Sequence, residues 1–200
     1  KICGWSTAQI SKELKIQIQS EFGKIPKKIK LINCVGGGSS AYGFWSEFMD
    51  YDKKQIELIG VEAGGPKSSK LHAAPLTNNA KLGILHGAAA YVCQSNEGQI
   101  SDTASISAGL DYPGVSPIHC FLKDTRRARY TSATDESALN AYKLVTRLEK
   151  INPSLEPSHA FAEAIKIAPK LSKDTIVIVN SCGDAKKDRD ILKARLGKIN

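Results

Sequence analysis

Near the start of the chain Ile10, Leu14 and Ile18 recur every four residues. That spacing predicts a helix with one apolar face, opened by Ser6 and Gln9 as a capping box and stopped by Gly23. Lys30–Val35 is short, apolar and followed by glycines, the pattern of a buried strand. Ala41, Phe44, Trp45, Phe48 and Met49 then follow the i, i+3, i+4, i+7, i+8 stripe of a helix packed on a sheet. Glu57–Glu62 is the next strand. Strand, glycine turn, helix and strand span about 33 residues, the size of a βαβ unit. Residues 63–82, rich in Gly, Pro, Ser and Asn, predict a long loop of a kind that is often functional. A mixed region follows, with a turn-like Ser107–Gly114. Ala128–Ala133 predicts a strand, and Thr134 caps a helix through Ala138, Leu139, Tyr142, Val145 and Leu148. Pro157 and Ser158 open another helix. Thr175–Asn180 is the clearest candidate for a central strand, and a basic helix closes the chain. Strands alternating with helices predict an α/β fold, a mostly parallel sheet flanked by helices.

Composition narrows the class. The 200 residues are 42% hydrophobic and 24% charged, enough for a substantial core and without a low-complexity tract. No apolar run approaches the roughly 20 residues of a membrane helix, so no membrane partner is expected. The N-terminus has no signal-peptide apolar region and begins inside an element, so the chain is expected to be a piece of a longer protein. The net charge of +8 resolves into +5 over residues 1–34, +3 over residues 181–200 and zero between. Two basic ends on a neutral body do not make the continuous stripe of a nucleic-acid groove, and no nucleic-acid partner is expected. The five scattered cysteines include no C-x-x-C pair, which predicts reduced thiols in the cytoplasm or an organelle stroma. The four histidines lack metal-ligand spacing, so zinc is not expected.

Three predicted strands end in glycine-, serine- or acid-rich turns: Gly36–Ser40, Ala63–Gly65 and Ser181–Gly183. In open parallel sheets ligands bind at the carboxyl ends of the strands. Gly36-Gly37-Gly38 lets the backbone approach an anion closely, Ser39 and Ser40 add hydroxyls, and the next helix aims its positive end there. A phosphate is the natural guest; a tight strand–helix joint with no ligand is the plainer alternative. The turn is not a Walker A loop. Gly36-x-Gly38-x-x-Ala41 with Glu62 at the next strand end also satisfies the dinucleotide fingerprint, which leaves an NAD-binding oxidoreductase domain open. A non-catalytic basic binding module is the third reading.

Val35-Gly-Gly-Gly-Ser-Ser40, Leu58-Ile-Gly-Val-Glu62-x-Gly-Gly65, His72-x-Ala-Pro-Leu76, Ser105-Ile-Ser-Ala-Gly-Leu-Asp-Tyr-Pro113, Leu155-Glu-x-Ser-His-Ala160 and Asp190-Ile-Leu-Lys-Ala-Arg195 resemble, in order and spacing, the C-terminal half of tryptophan synthase β-subunits. The resemblance covers nearly all of residues 1–200. It implies a three-layer αβα fold-type-II pyridoxal-phosphate (PLP) lyase that replaces the hydroxyl of L-serine with indole. Gly36, Gly37, Gly38, Ser39 and Ser40 would hold the PLP phosphate, Ser40 standing where the family usually has Asn. Asp111 would close the site through an ion pair with an arginine of the other half, although an Asx turn also accounts for it. Glu156 would lie beside the cofactor ring; the plainer reading is a carboxylate at a helix start. The carbonyls of Gly36, Tyr112 and Gly114 match positions that bind Na+ or K+. A β-subunit homodimer and an α-subunit partner are implied as well.

Two departures accompany the resemblance. The family's Schiff-base lysine, catalytic glutamate and substrate-carboxylate loop lie upstream of the stretch resembled, so the chain alone is expected to be inactive. Where the family sets a serine against the pyridine nitrogen this chain has Cys182, and about four residues are missing before the last helix. Cys182 is therefore the expected ring contact, with a small core thiol as the alternative.

Overall fold

The computed structural model describes residues 2–78 and 80–197, with the backbone alone at residues 2–5. Helix α1 (Ile2–Phe22) leads to β1 (Ile29–Cys34), α2 (Ser39–Trp45) and β2 (Ile56–Ala63). A hairpin of β3 (Lys81–Leu85) and β4 (Ala88–Val92) follows, then α3 (Pro117–Asp124) and β5 (Ala128–Ala133). Helices α4 (Asp135–Glu149) and α5 (Leu155–Ile167), strand β6 (Ile176–Val179) and α6 (Arg189–Leu196) complete the order.

Four strands form one parallel sheet in the order β5-β2-β1-β6. Successive residues of β1 and β2 feed opposite cores, as the two-residue period of a strand requires. Leu31 and Leu58 pack with Phe44, Trp45 and Phe48 on the side of α1, α2 and α3. Ile32, Cys34, Ile59 and Val61 pack with Leu110 and Ala160 on the side of α5. Burial on both faces is why these strands read as continuous apolar runs. The result is the α/β class expected, in three layers.

Several boundaries moved. α1 begins at Ile2, so Ser6 lies inside it rather than capping it; no proline or other stop precedes Ser6 to end the helix there. Gly23, at φ +69°, does terminate it. α2 stops at Trp45 and tightens into a 3-10 turn over Ser46–Phe48, with the Ser46 hydroxyl donating to the Gly43 carbonyl at 2.8 Å. α5 starts two residues before Pro157. β6 is an edge strand with half-buried residues, not a central one. An apolar run of four residues carries no signal of which side of a sheet it occupies. The β3–β4 hairpin and α3 fall in the stretch that read only as mixed.

One side chain ties β5 to the far end of the α2 segment. The Arg127 guanidinium donates to the carbonyls of Phe48 (2.6 Å), Met49 (2.6 Å) and Ile56 (3.2 Å). Arg127→Met keeps the apolar stem and removes all three charge-assisted bonds. A loss of about 2 kcal/mol is expected in urea unfolding. An unchanged midpoint would mean that water satisfies those carbonyls equally well.

Candidate functional site

The carboxyl ends of the parallel strands meet along one edge. The Val35 amide donates to Val61, Gly64 to Ala133, and Asn180 to Ile32, so the chain leaves β1, β2, β5 and β6 on the same side. Gly36–Ser40 lies there. The amides of Gly36, Gly37 and Gly38 donate to no acceptor among the described residues, and those of Ser39 and Ser40 open α2, where the helix itself supplies none. Gly37 is exposed, and a Cβ built on it would meet nothing within 4 Å. Unpaired donors around open space are what an anion needs.

The turn is fixed from behind. Gly38 has φ +95°, and its carbonyl accepts from the Tyr42 amide (3.0 Å) and from His119 Nε2 (2.7 Å). A carbonyl can only accept, so Nε2 carries the proton and Nδ1 accepts from the Tyr130 hydroxyl at 2.7 Å. Burial lowers the His119 pKa, which keeps the ring neutral as this tautomer requires. The Gly37 carbonyl takes the Ser116 amide at 3.0 Å, and Gly36 packs under Gly109 and Leu110. The Ser-Ala-Gly-Leu-Asp-Tyr-Pro segment is thereby folded onto the glycine turn.

Glu156 joins the same cluster. It sits in the first turn of α5, and Oε1 accepts from the Gly109 amide (3.0 Å) and Lys187 Nζ (2.5 Å) while Oε2 accepts from Ser154 (2.7 Å). Burial pushes its pKa up, but the Lys187 ammonium and Ser154 hydroxyl outweigh it and hold the carboxyl at about 2. Glu156 is thus a fixed anion at neutral pH.

Ser40 faces inward. Its hydroxyl oxygen accepts from the amides of Asn33 (3.2 Å) and Asn180 (3.4 Å), leaving its proton for Cys182. Cys182 is exposed beyond β6, 3.6 Å from the buried Cys34 sulfur. Asp111 is exposed, its side chain unpaired among the described residues, and its amide donates to Ser107. Tyr112 bonds His86 through its hydroxyl (2.9 Å), and Gly114 bridges to Val92. Of the expected residues, the turn, Glu156 and Cys182 are together, and Asp111, Tyr112 and Gly114 lie on the strap that crosses them.

The dinucleotide alternative fails at Glu62. That carboxylate is 1% exposed and already accepts from the amides of Leu76 (3.0 Å) and Thr77 (2.9 Å) and the Thr77 hydroxyl (2.8 Å). It cannot reach a ribose. It holds Leu76 and Thr77 against β2 instead.

Sequence reasoning missed Lys187, the His119–Tyr130 pair and the asparagines around Ser40. Asn33 and Asn180 carried a signal: each is a polar residue in or at the end of an apolar run, which a buried sheet admits only with a partner. A cavity of about 490 Å³ between Tyr142, Asn152 and α6 is lined by none of the cradle residues. Among the described residues no helix is long and apolar enough to cross a membrane, and no cluster of three or more His, Cys, Asp or Glu could hold a metal ion.

No protein-family model matches the chain. It is 44% identical over 179 residues to a tryptophan synthase beta chain of Bradyrhizobium sp. (strain ORS 278), covering 90% of this chain and 43% of that protein. Against the tryptophan synthase beta chain of Rhodopseudomonas palustris (strain BisA53) it is 45% identical over 188 residues, covering 94% and 45%. The chain spans less than half the length of these curated relatives. Among solved structures it is similar to a fungal L-serine ammonia-lyase from Rhizomucor miehei (TM-score 0.61, 20% identity, 94% of this chain and 55% of that one). It is also similar to a threonine deaminase from T.th. (TM-score 0.58, 16% identity, 89% and 57%). At those identities the likeness establishes the fold.

Proposed function

We propose that this chain, which belongs to the tryptophan synthase β-chain family along nine-tenths of its length, forms the phosphate-holding C-terminal half of a PLP-dependent lyase. The whole enzyme would replace the hydroxyl of L-serine with indole to give L-tryptophan. The observation that carries this reading is the cradle: unpaired amides at Gly36, Gly37 and Gly38 around the open face of Gly37. PLP, when bound, supplies an electron-withdrawing ring that stabilises negative charge at the α-carbon of the substrate.

The residues present fit that group. The amides of Gly36–Ser40 and the exposed Ser39 hydroxyl hold its phosphate. Ser40 contributes its amide, because its hydroxyl is already engaged by Asn33 and Asn180. Cys182 faces the ring nitrogen as a weak donor in place of a hydroxyl. Glu156, ionised and clamped by Gly109, Ser154 and Lys187, sets a fixed negative charge beside the ring and transfers no proton near neutrality. Asp111, exposed on its strap, is free to pair with an arginine from the other half and shut water out. The carbonyls of Gly36, Tyr112 and Gly114 face a monovalent cation, Na+ or K+, that would stiffen this strap. Association with a second β-subunit and an α-subunit in the cytoplasm or a stroma belongs to the same reading.

Gly37→Asp tests the cradle. The added side chain has room, so the fold should tolerate it, but its charge lies where the phosphate sits. Titrating the 200-residue chain with inorganic phosphate and then with PLP, followed by phosphorus NMR, should show binding that the variant weakens at least tenfold, about 1.4 kcal/mol. Neither chain should make tryptophan from serine and indole. Equal affinities in the two chains would end the cradle assignment.

A further inference from the structure

Besides its proposed place at the cofactor ring, Cys182 is half of a close pair of thiols, the most reactive arrangement among the described residues. Cys34 is the last residue of β1, buried among Ile32, Val61 and Ala160. Cys182 lies two residues beyond Asn180, whose amide makes the last bond of the β1–β6 ladder. The two sulfurs are 3.6 Å apart although the residues are 148 positions apart in the chain. A disulfide has a sulfur–sulfur bond of about 2.05 Å, so an approach of about 1.5 Å completes it. Cys34 is fixed in a central strand, whereas Cys182 belongs to an irregular, exposed segment with no ladder to break.

The surroundings divide the roles. The hydrogen bond from Cys34 lowers the Cys182 pKa to about 7, and the Ser40 hydroxyl adds to this. The Lys187 ammonium faces Cys182 and favours the thiolate, while Glu156 opposes it. Cys34 stays a thiol, its pKa raised by its bond to Cys182 and by burial. The other described cysteines offer no such site. Burial pushes Cys93 up to about 11, and it raises Cys120 as well. His72 does not activate Cys93, because its Nδ1 already accepts the Ala74 amide at 3.2 Å.

We propose that Cys34 and Cys182 form a reversible disulfide, with Cys182 the attacking thiol and Cys34 the resolving one. The oxidant is a low-molecular-weight disulfide such as glutathione disulfide. The Cys182 thiolate attacks one of its sulfurs, forming a mixed disulfide and expelling one glutathione thiolate. That thiolate takes the proton of Cys34. The Cys34 sulfur then attacks Cys182, and the second glutathione leaves as a thiolate that is protonated by water. Two protein thiols lose two electrons and two protons, and one disulfide is reduced to two thiols. The bridge turns the Cys182 thiol, a weak donor, into a disulfide sulfur that has no proton to donate, so oxidation state and the ring end of the site are coupled.

The geometry alone carries this assignment, and failure of the chain to bind phosphate would leave it standing. The reduced 200-residue chain is mixed with glutathione disulfide at pH 7, quenched with acid over time, and mapped by peptide mass spectrometry. A transient glutathione adduct on Cys182 is expected, replaced by a cross-linked peptide pair holding Cys34 and Cys182. At pH 7 Cys182, with its pKa at about 7, has roughly 15-fold more thiolate than an ordinary thiol, and its lower nucleophilicity returns about fivefold of that. Its adduct should therefore form about threefold faster than on an ordinary thiol, and faster still than any on Cys93 or Cys120, whose thiols are harder to ionise. In Cys34→Ala the adduct on Cys182 should persist, and in Cys182→Ser Cys34 should stay reduced. A lasting Cys182 adduct in the unsubstituted chain, or a bridge joining other cysteines, would overturn the proposal without reference to the variants.

Discussion

Replacing Gly38 with alanine is expected to lower stability by about 4 kcal/mol, and to weaken phosphate binding at least tenfold in whatever fraction remains folded. Two independent costs add. Gly38 has φ +95°, a region that an L-residue occupies at a cost of roughly 1–2 kcal/mol. The new Cβ would also lie 2.1 Å from His119 Cδ2 and 2.2 Å from Nε2. That ring cannot give way cheaply. It is fully buried, edge-on to Trp45, and bonded at both nitrogens. Moving it breaks its bond to the Gly38 carbonyl, which keeps the Tyr42 amide, and strands the Tyr130 hydroxyl, at about 1–3 kcal/mol for a buried group left unpaired. Gly37→Ala is the control, since its Cβ meets open space and its φ is ordinary. Adding His119→Ala to Gly38→Ala relieves the clash and leaves the backbone cost, so the double variant should recover only part of the loss. Urea unfolding of the set decides it. Gly38→Ala no worse than Gly37→Ala would mean that His119 does not shape the turn.

Legibility followed the range of the interactions. β1 and β2 were placed within one residue at both ends, because burial on both faces leaves an apolar run between turn residues, and β5, only part-buried, was placed at both ends as well. Thr134 was readable as a cap, and its hydroxyl does accept from the Ser137 amide. The β3–β4 hairpin was not. Its turn is His86-Gly87, both at positive φ, with histidine where the strong hairpin signal has Asn or Asp. Leu82 and Ile84 also face solvent, so the strand lacks the apolar-in, polar-out alternation that would have marked it.

The site divides in the same way. The glycine turn is a local requirement, set by the backbone conformation of Gly38, and so it was visible in the sequence. What surrounds it comes from distant segments: Lys187 reaches Glu156 from 31 residues away, and His119 reaches Gly38 from 81. No spacing rule relates such positions. Glu62 shows the opposite hazard, a local match to a fingerprint whose carboxylate is turned inward and consumed.

Glu62 and Glu156 should give the stability curve a maximum near pH 4.5, falling on both sides. Burial raises Glu62 from an ordinary 4.5 to about 7, against the pull of the Leu76 and Thr77 donors. Between those values the folded state binds more protons than the unfolded one. Its contribution is therefore complete below pH 4.5 and lost as pH rises through 7, roughly 3 kcal/mol in all. Glu156 has the opposite sign. With its pKa at about 2, the unfolded state binds more protons between 2 and 4.5. Its contribution is present above 4.5 and lost as pH falls through 2. Lys187 is half exposed, so solvent screens that pair and roughly 2 kcal/mol is the fair expectation. Asp135 and Asp188 are also raised by burial and add to the decline above pH 4, so differences between variants carry the test. Glu62→Gln, which mimics the protonated side chain, should flatten the limb between pH 4.5 and 7 and leave the acid limb intact. Glu156→Gln should do the reverse and lower stability at neutral pH. Urea midpoints measured from pH 3 to 8 separate the two. A Glu62→Gln curve parallel to that of the unsubstituted chain would show that the buried carboxylate stays ionised throughout, held by its three donors.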